Sequence, residues 1–290
     1  MKHLNTWTLT RRQALVAFGA LAASSQIFPA RAEEKATPKI ALQLYTMRGP
    51  AKKDLADTLK KVREMGWEYV QWSGMPDLPA EKIREALDTA GLKAMACHCS
   101  VEEFEKDFDK AVQFWKTVGV QYVGPGGMMG DCKDSVEAWV RGAKRLDAVG
   151  AKLRGVGLRL TYHNHSGEFE KFDNDPRTKE DILLAETSPE NVFAELDVAW
   201  VLAGGVDPAA YIRKCKGRCP TVHAKDLAED PKGGKVKFAP LGKGVLNWPD
   251  IFAAGREAGI EWYIYEQDSC PAGEFAAAEI SLEFLKKNLA

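Results

Sequence analysis

Residues 55–72 read LADTLKKVREMGWEYVQW and contain one complete helix–strand unit, the repeated pattern from which the fold is predicted. From Leu55 to Met65, apolar residues recur every three or four positions, which is typical of an amphipathic helix. Gly66 then marks the end of the helix, and the β-rich run Tyr69–Trp72 follows after a short loop. The stretch therefore predicts an α-helix followed closely by a strand.

The same unit recurs along the chain. Other helical patterns also stop at a glycine shortly before the next strand: Gly91 after Ile83–Ala90, Gly119 after Phe108–Val118, and Gly259 after Ile251–Ala258. The predicted strands are Ile40–Tyr45, Tyr69–Trp72, Lys93–Cys99, Gln121–Gly124, Leu158–His163, Val192–Asp197, Thr221–Lys225 and Trp262–Glu266. Strands that alternate with helices indicate a parallel sheet. Eight of them in roughly 255–260 residues predict a single α/β domain, a (β/α)₈ TIM barrel over residues 39–290, with Ala276–Leu289 as its closing helix.

Residues 1–32 are predicted to be a twin-arginine signal peptide. Arg11-Arg12 precede the apolar run Val16–Phe28, which is followed by Ala30-Arg31-Ala32. This is the order of a secretory leader and its cleavage site. The alternative is a membrane anchor, but the apolar run is shorter than the roughly 20 residues that span a bilayer. We expect a periplasmic protein with no membrane attachment after cleavage.

Charge limits the kinds of partner that the protein can bind, and the cysteine content raises the question of disulfides. The chain has 40 basic and 41 acidic residues, with a net charge of −1 and no basic stripe, so we expect a small-molecule partner and no nucleic acid. The six cysteines are expected to be buried thiols: Cys97, Cys99, Cys132, Cys215, Cys219 and Cys270. Because an exported protein can form disulfides, a bridge between Cys215 and Cys219 stays an alternative.

Histidines and acids lie at the carboxyl ends of the predicted strands. The residues concerned are His98, His163, His165, Asp197, His223 and Glu266; the fifth histidine, His3, lies in the leader. In a TIM barrel these strand ends form one rim, where active sites are built. A carboxylate at the end of a buried strand is costly unless it is paired or binds a metal. Each acid could instead cap the next helix or loop, but their joint placement favours a shared metal site.

The mixture of imidazole and carboxylate groups suits Mn²⁺, Zn²⁺, Fe²⁺ or Co²⁺ better than Ca²⁺, which prefers oxygen ligands alone. His163 and His165 are two residues apart on a predicted strand and therefore point to the same face. Either could be the ligand from strand five, and His163 is preferred because it lies nearer the strand.

The sequence resembles the sugar phosphate isomerase/epimerase family, whose members have a xylose isomerase-like barrel. It resembles the exported members of this family in particular. The motifs are Tyr162-His163-Asn164-His165 with Glu168-Phe169, Leu196-Asp197-Val198-Ala199-Trp200 with Ala203-Gly204-Gly205-Val206-Asp207-Pro208, His223-Ala224-Lys225-Asp226, and Glu266-Gln267-Asp268. The resemblance covers almost the whole mature chain. It implies a sugar substrate and one divalent ion held by His163, Asp197, His223 and Glu266. A homo-oligomer is also an expectation from the resemblance.

One position departs from the family pattern. Ketose epimerases of this superfamily usually carry a glutamate at the ligand position on strand five, and that glutamate is also one of two acid/base carboxylates. Here the position holds His163. Glu168, which follows closely in sequence, is the candidate that could replace it.

The predicted chemistry is removal of a proton next to a carbonyl, giving an enediolate, with a metal ion as Lewis acid. Glu266 is a candidate base as well as a ligand, and Lys225 is a candidate for stabilising an oxyanion or protonating a leaving oxygen. The predicted substrate-binding residues are Gln43, Tyr45, Trp72, His98, His165 and Trp200. For the two tryptophans, packing in the core is an equal alternative.

Several outcomes of this chemistry stay open: epimerisation, aldose–ketose isomerisation, or β-elimination from a 3-keto glycoside or an inosose. Export favours a free or oxidised sugar or an inositol-like compound over a phosphorylated one. A barrel that binds sugar without turnover is an alternative of a different class. A related apurinic endonuclease is disfavoured, because it would need more metal-binding side chains than this rim supplies.

Overall fold

A computed structural model describes residues 37–230 and 235–289, and the predicted leader lies outside these residues. Eight parallel strands form a closed barrel in which each strand pairs with the next and the last pairs with the first. They are β1 (Lys39–Gln43), β2 (Tyr69–Trp72), β3 (Lys93–His98), β4 (Tyr122–Gly124), β5 (Arg159–His163), β6 (Val192–Asp197), β7 (Thr221–Ala224) and β8 (Trp262–Tyr265). The predicted eight-stranded α/β barrel is confirmed.

Helices surround the barrel between successive strands. They are α1 (Arg48–Lys53), α2 (Leu55–Glu64), α3 (Ala80–Ala90), α4 (Val101–Lys106), α5 (Phe108–Val118), α6 (Val136–Gly155), α7 (Lys179–Ala185), α8 (Val198–Ala203), α9 (Pro208–Lys214), α10 (Trp248–Ala258) and α11 (Glu274–Leu289). Short 3₁₀ helices cover Leu44–Met47, Gly130–Cys132 and Ser166–Phe169, and Asp226–Leu227 pairs antiparallel with Phe238–Ala239.

The predicted glycine stops end their helices in a left-handed conformation. Gly91, Gly119 and Gly259 are the C-caps of α3, α5 and α10, with φ angles of 73°, 97° and 85°. A residue with a side chain is strained at such a φ angle, so glycine is the residue that allows the chain to turn there into the next strand.

The first strand is shorter than predicted. β1 ends at Gln43, and the chain turns at once into the 3₁₀ helix Leu44–Met47. The physical reason is local, because the Gln43 side-chain oxygen accepts a hydrogen bond from the backbone N–H of Tyr45 at 3.3 Å. Tyr45 is therefore not at the end of a strand, and the prediction that placed it there was wrong. The other strand boundaries shift by one residue at most.

The interior of the barrel is layered. Its amino-terminal end is filled by an apolar cluster, in which Ala41, Met95, Tyr122, Trp262 and Ile264 pack together. Because side chains alternate along a strand, each step of two residues toward the carboxyl end places another inward side chain nearer the mouth. These further inward side chains are polar, so the fold directs its buried polar groups toward the mouth.

The main hydrophobic core lies outside the barrel, between the strands and the helices. It includes Leu42, Val70, Tyr162, Leu196 and Val222, which are all buried and alternate with inward-facing residues on their strands. All six cysteines are free thiols, with Cys99 and Cys270 partly exposed, and the alternative bridge between Cys215 and Cys219 is not formed. No helix among the described residues is long and apolar enough to cross a membrane.

Candidate metal centre and active site

The four residues predicted as metal ligands converge at the carboxyl end of the barrel. His163 ends β5, Asp197 ends β6, His223 lies on β7, and Glu266 follows β8. One ligand atom from each residue lies within 4.8 Å of those of the other three, and all four residues are buried. His223 Nδ1 is 2.9 Å from Glu266 Oε2, and His163 Nε2 is 3.5 Å from Asp197 Oδ2.

This cluster fits a divalent cation. Neither ring nitrogen of His163 makes a hydrogen bond within the described part of the chain, although both atoms are buried. Burial and the neighbouring His223 lower the pKa of His163 to about 3, so its imidazole is neutral and keeps a lone pair for a ligand bond. Two imidazoles with two carboxylates form a donor set that Mn²⁺, Zn²⁺, Fe²⁺ and Co²⁺ accept.

Asp197 caps a helix and also directs one carboxylate oxygen into the cluster. Its Oδ1 accepts hydrogen bonds of 3.0 Å from the backbone N–H groups of Ala199 and Trp200, and so caps α8. Its Oδ2 faces His163 and the Lys225 ammonium. Burial alone would raise the pKa of Asp197, but the charge of Lys225 lowers it to about 2. The carboxylate is therefore ionised, with one oxygen directed at the cluster.

Lys225 places a cation beside the predicted ligands. Its Nζ lies 2.9 Å from Asp197 Oδ2, 2.8 Å from Glu266 Oε2 and 3.0 Å from Asp268 Oδ1. The side chain is 1% exposed, and burial alone would lower its pKa. The carboxylates of Asp197, Glu266 and Asp268 instead raise the pKa of Lys225 above its usual value, so this side chain carries a positive charge and not a free amine.

A second layer of polar residues lies beneath the cluster, and three of its members, Gln71, Glu195 and Thr221, were not predicted. Glu195 Oε1 lies 2.6 Å from His98 Nε2 and 3.0 Å from His223 Nε2. Gln71 Nε2 donates to both oxygens of Glu195, at 3.1 and 3.2 Å. We call the set of Gln43, Gln71, His98, Glu195 and Thr221 the polar floor. A sequence signal for Glu195 existed, because it precedes Asp197 by two residues and so shares its face of β6.

Four of the predicted substrate-binding residues lie at or near the cluster. Gln43 and His98 belong to the polar floor. The His165 ring centroid is 5.0 Å from that of His163 and 5.6 Å from that of Trp200. The Trp200 ring covers the Lys225 ammonium at 5.5 Å. Trp200 and His165 therefore form part of a wall above the candidate metal centre.

The structure does not bring Tyr45, Trp72 or Glu168 to the cluster. Tyr45 is 36% exposed and stacks on Arg48. Trp72 is buried in the outer core, because it follows the inward-facing Gln71 and points to the opposite face of β2. For Trp72 the alternative of core packing is the one that the structure supports.

Glu168 is occupied by local hydrogen bonds. Its Oε1 accepts from the Tyr162 hydroxyl and its Oε2 from the backbone N–H of His165, each at 2.9 Å. Tyr162 adjoins His163 on β5, and its side chain therefore points to the helix-facing side of the strand. The expectation that Glu168 reaches the pocket is corrected accordingly. It shapes the turn that carries His165.

The sequence matches the family described as the Xylose isomerase-like TIM barrel over residues 59–288. The chain belongs to this family. The predicted family membership is thus confirmed, and the eight-stranded barrel agrees with it.

Several individual proteins resemble this xylose isomerase-like barrel at low sequence identity. An inosose dehydratase from Lacticaseibacillus casei is 25% identical over 150 residues, which cover 47% of this chain and 49% of that protein. The chain thus spans about half the length of the curated relatives that it matches. The structure of a sugar phosphate isomerase/epimerase from Parabacteroides distasonis aligns with a TM-score of 0.73 and 21% identity, covering 88% of this chain and 96% of that one. An L-ribulose 3-epimerase aligns with a TM-score of 0.65 and 16% identity, covering 87% and 94%.

Proposed function

We propose that this protein is a divalent-metal-dependent enzyme that removes a proton next to a carbonyl group of a sugar, an oxidised sugar or an inositol derivative. One observation carries the proposal, the convergence of His163, Asp197, His223 and Glu266 beside the Lys225 ammonium at the mouth of the barrel. The mouth is the end at which barrels of this type place their chemistry. The names of the relatives, dehydratase and epimerase, agree with proton transfer at carbon.

A divalent ion held by these four side chains would act as a Lewis acid on a carbonyl and an adjacent hydroxyl of the substrate. Glu266 is the proposed base. Its Oε2 is occupied by His223 and Lys225, whereas its Oε1 accepts no hydrogen bond from the described residues. That oxygen is available to take a proton from the substrate carbon.

Lys225 supplies the positive charge that the reaction needs. Because its ammonium is protonated and buried, it stabilises negative charge that develops on a substrate oxygen, or gives a proton to an oxygen that leaves. Trp200, which covers this ammonium, offers an apolar ring face against which a sugar ring can stack. Together with His165 it forms part of the wall on one side of the pocket.

β-Elimination is the second candidate reaction, and a specific observation favours it. Epimerisation by two carboxylates needs an acid on strand five, but β5 reads RLTYH and contains none. Elimination needs one base and one acid near each other, and Glu266 Oε2 lies 2.8 Å from Lys225 Nζ. Loss of water from an inosose, or of a substituent from a 3-keto glycoside, would use this pair.

Exchange of substrate hydrogen for solvent deuterium tests the proposal. The Mn²⁺-loaded protein in D₂O, incubated with keto sugars and inososes, is expected to incorporate deuterium next to the carbonyl, as followed by proton NMR. Glu266→Gln is expected to lose this exchange, and a new conjugated-ketone absorbance would identify elimination. Asp250→Asn, a change at a partly exposed residue of α10 outside the cluster, is the control. If no compound of either class exchanges, a barrel that binds sugar without turnover becomes the better account.

We also propose that residues 1–32 direct export by the twin-arginine route. The support is the Arg11-Arg12 pair before the apolar run and Ala30-Arg31-Ala32. Replacement of both arginines by lysine is expected to keep the protein in the cytoplasmic fraction, whereas the unchanged chain appears in the periplasm with a shortened amino terminus. Equal distribution of the two forms would refute this part of the proposal.

A further inference from the structure

The polar floor is a continuous hydrogen-bonded chain with a fixed direction. At one end, the backbone N–H of Tyr45 donates to Gln43 Oε1 at 3.3 Å, so the other atom of this amide is the donor Nε2. Gln43 Nε2 donates to Gln71 Oε1 at 3.0 Å. Gln71 Nε2 then donates to the Glu195 carboxylate. Because a backbone N–H can only donate and a carboxylate can only accept, the orientation of both amides is determined.

This direction fixes the proton on one nitrogen of His223. The two atoms that face His223 Nε2 are Gln71 Oε1 at 2.7 Å and Glu195 Oε1 at 3.0 Å. Both are acceptors, so Nε2 must carry a hydrogen. The other ring nitrogen, Nδ1, faces Glu266 Oε2 at 2.9 Å within the ligand cluster, where a bound ion would take the place of its hydrogen.

His98 is oriented in the same way. Its Nε2 lies 2.6 Å from Glu195 Oε1 and donates to it. Its Nδ1 lies 3.5 Å from the donor Gln43 Nε2, which leaves Nδ1 as an acceptor. Gly126 lies beside this nitrogen, since a β-carbon there would be 3.3 Å from Nδ1. The absence of a side chain at Gly126 leaves room next to the imidazole.

The polar floor is not itself a second metal site. His98, Glu195 and His223 lie close enough together to suggest one. However, Thr221 Oγ1 also donates to Glu195 Oε2 at 3.2 Å, so both oxygens of this carboxylate already accept hydrogen bonds. The imidazole nitrogens that face it are donors, and a donor nitrogen has no lone pair for a metal.

We propose that Glu195 is the positioning residue of the metal centre. Together with Gln71, it accepts the hydrogen of His223 Nε2, so that Nδ1, which faces Glu266, is the nitrogen available to bind the ion. It also fixes the His98 ring beside the cavity. The inference rests on the proposed metal site and concerns a residue that does not touch the ion. Carboxylates that accept the second N–H of a ligand histidine set its orientation and typically change metal affinity when removed.

The experiment compares Co²⁺ binding to the metal-free wild type, Glu195→Gln and Glu180→Gln. Glu180 is the matched control, because it is another fully buried glutamate of this chain and lies on α7, away from the cluster. We expect Glu195→Gln to bind Co²⁺ about 10- to 100-fold more weakly by calorimetric titration and to shift the visible absorption bands of the bound ion. Glu180→Gln should leave both unchanged.

A second variant distinguishes the loss of His223 positioning from misfolding. Gln71→Leu removes the other acceptor at His223 Nε2 and keeps Glu195, so it should weaken Co²⁺ binding less, in the same direction. Wild-type affinity and an unchanged spectrum in Glu195→Gln would overturn the inference while leaving the proposed function intact. Equal weakening in Glu195→Gln and Glu180→Gln would also overturn it, because the effect would then be general destabilisation. A wild type that binds no Co²⁺ would refute the proposed metal centre itself.

Discussion

At the scale of single residues, each buried charge in the mouth of the barrel depends on a particular neighbour. Lys225 is within 3.0 Å of three carboxylates and is 1% exposed. Removing one partner of a buried ion pair leaves the other charge uncompensated in a medium of low polarity. The carboxylates of Asp197, Glu266 and Asp268 therefore need either this ammonium or another cation.

Replacing Lys225 tests this dependence. Lys225→Met keeps most of the apolar stem but removes the charge, and we expect the metal-free protein to lose about 3–5 kcal/mol of unfolding free energy. Saturating Mn²⁺ should restore much of the loss, because the ion supplies positive charge to the same carboxylates. Urea denaturation with and without Mn²⁺ measures both effects. Lys237→Met, at an exposed lysine, is the control; equal stability of the two variants would contradict the account.

Glu180 predicts a pH dependence that is separate from the metal centre. Its two oxygens are buried and have no hydrogen-bond partner among the described residues. Burial, with a smaller contribution from Glu168, raises the pKa of Glu180 from 4.5 to about 8. Between these values the folded protein holds a proton that the unfolded chain has released. Stability therefore falls as the pH rises from about 4.5 to about 8.

The variant Glu180→Gln removes this titration. We expect its unfolding free energy to stay flatter over that pH range and to exceed the wild-type value at the upper end, by a difference on the order of a few kcal/mol. Chemical denaturation at a series of pH values measures it. Parallel curves for wild type and variant would mean that Glu180 is already ionised in the folded protein.

At the scale of elements, Asp226 holds the described residues between β7 and α10 with one carboxylate. Asp226 Oδ1 accepts from the backbone N–H groups of Leu227 and Leu246, and Oδ2 accepts from those of Gly242 and Gly244. The indole of Trp248 also donates to Oδ2, at 2.8 Å. The same segment carries Phe238, which lies 5.5 Å from the Lys225 ammonium. Asp226 thus links the stability of this segment to the wall of the pocket.

Asp226→Asn is expected to weaken the segment. The amide turns one acceptor into a donor where N–H groups converge, so we expect a loss of about 2–3 kcal/mol in unfolding free energy. Amide hydrogen exchange should become faster at the backbone groups that Asp226 binds, as measured by mass spectrometry. Asp250→Asn on α10, whose carboxylate is partly exposed beside Arg213, should change neither quantity. Unchanged exchange in Asp226→Asn would show that other contacts hold the segment.

The strands also explain which parts of the site the sequence could predict. Residues at strand ends were identified because polar groups after apolar runs are conspicuous. Glu195 and Gln71 were missed because they lie inside strands, although the two-residue alternation places Glu195 on the face of Asp197. Trp72 follows an inward-facing residue and so points outward by the same rule. That Glu168 binds the Tyr162 hydroxyl could not be predicted, since it depends on the turn of the 3₁₀ helix Ser166–Phe169.

At the scale of the whole molecule, the fold could be predicted because the same local signal recurs in several βα units. Helical periodicity, a glycine stop and a β-rich run recur around the barrel, and eight such strands close it. The layering inside the barrel could not be predicted in detail, because it depends on how strands are staggered relative to one another. The result is an apolar base, a polar floor and a mouth in which buried acids and imidazoles meet.

Metal content is the measurement that tests the proposed metal centre. Protein purified without chelators or a histidine tag, measured by elemental mass spectrometry, is expected to carry close to one divalent ion per chain. His163→Ala and Glu266→Ala should lose it, whereas His165→Ala should retain it. A wild type that is free of metal, and stays so after incubation with Mn²⁺, Zn²⁺ or Co²⁺, would contradict the account.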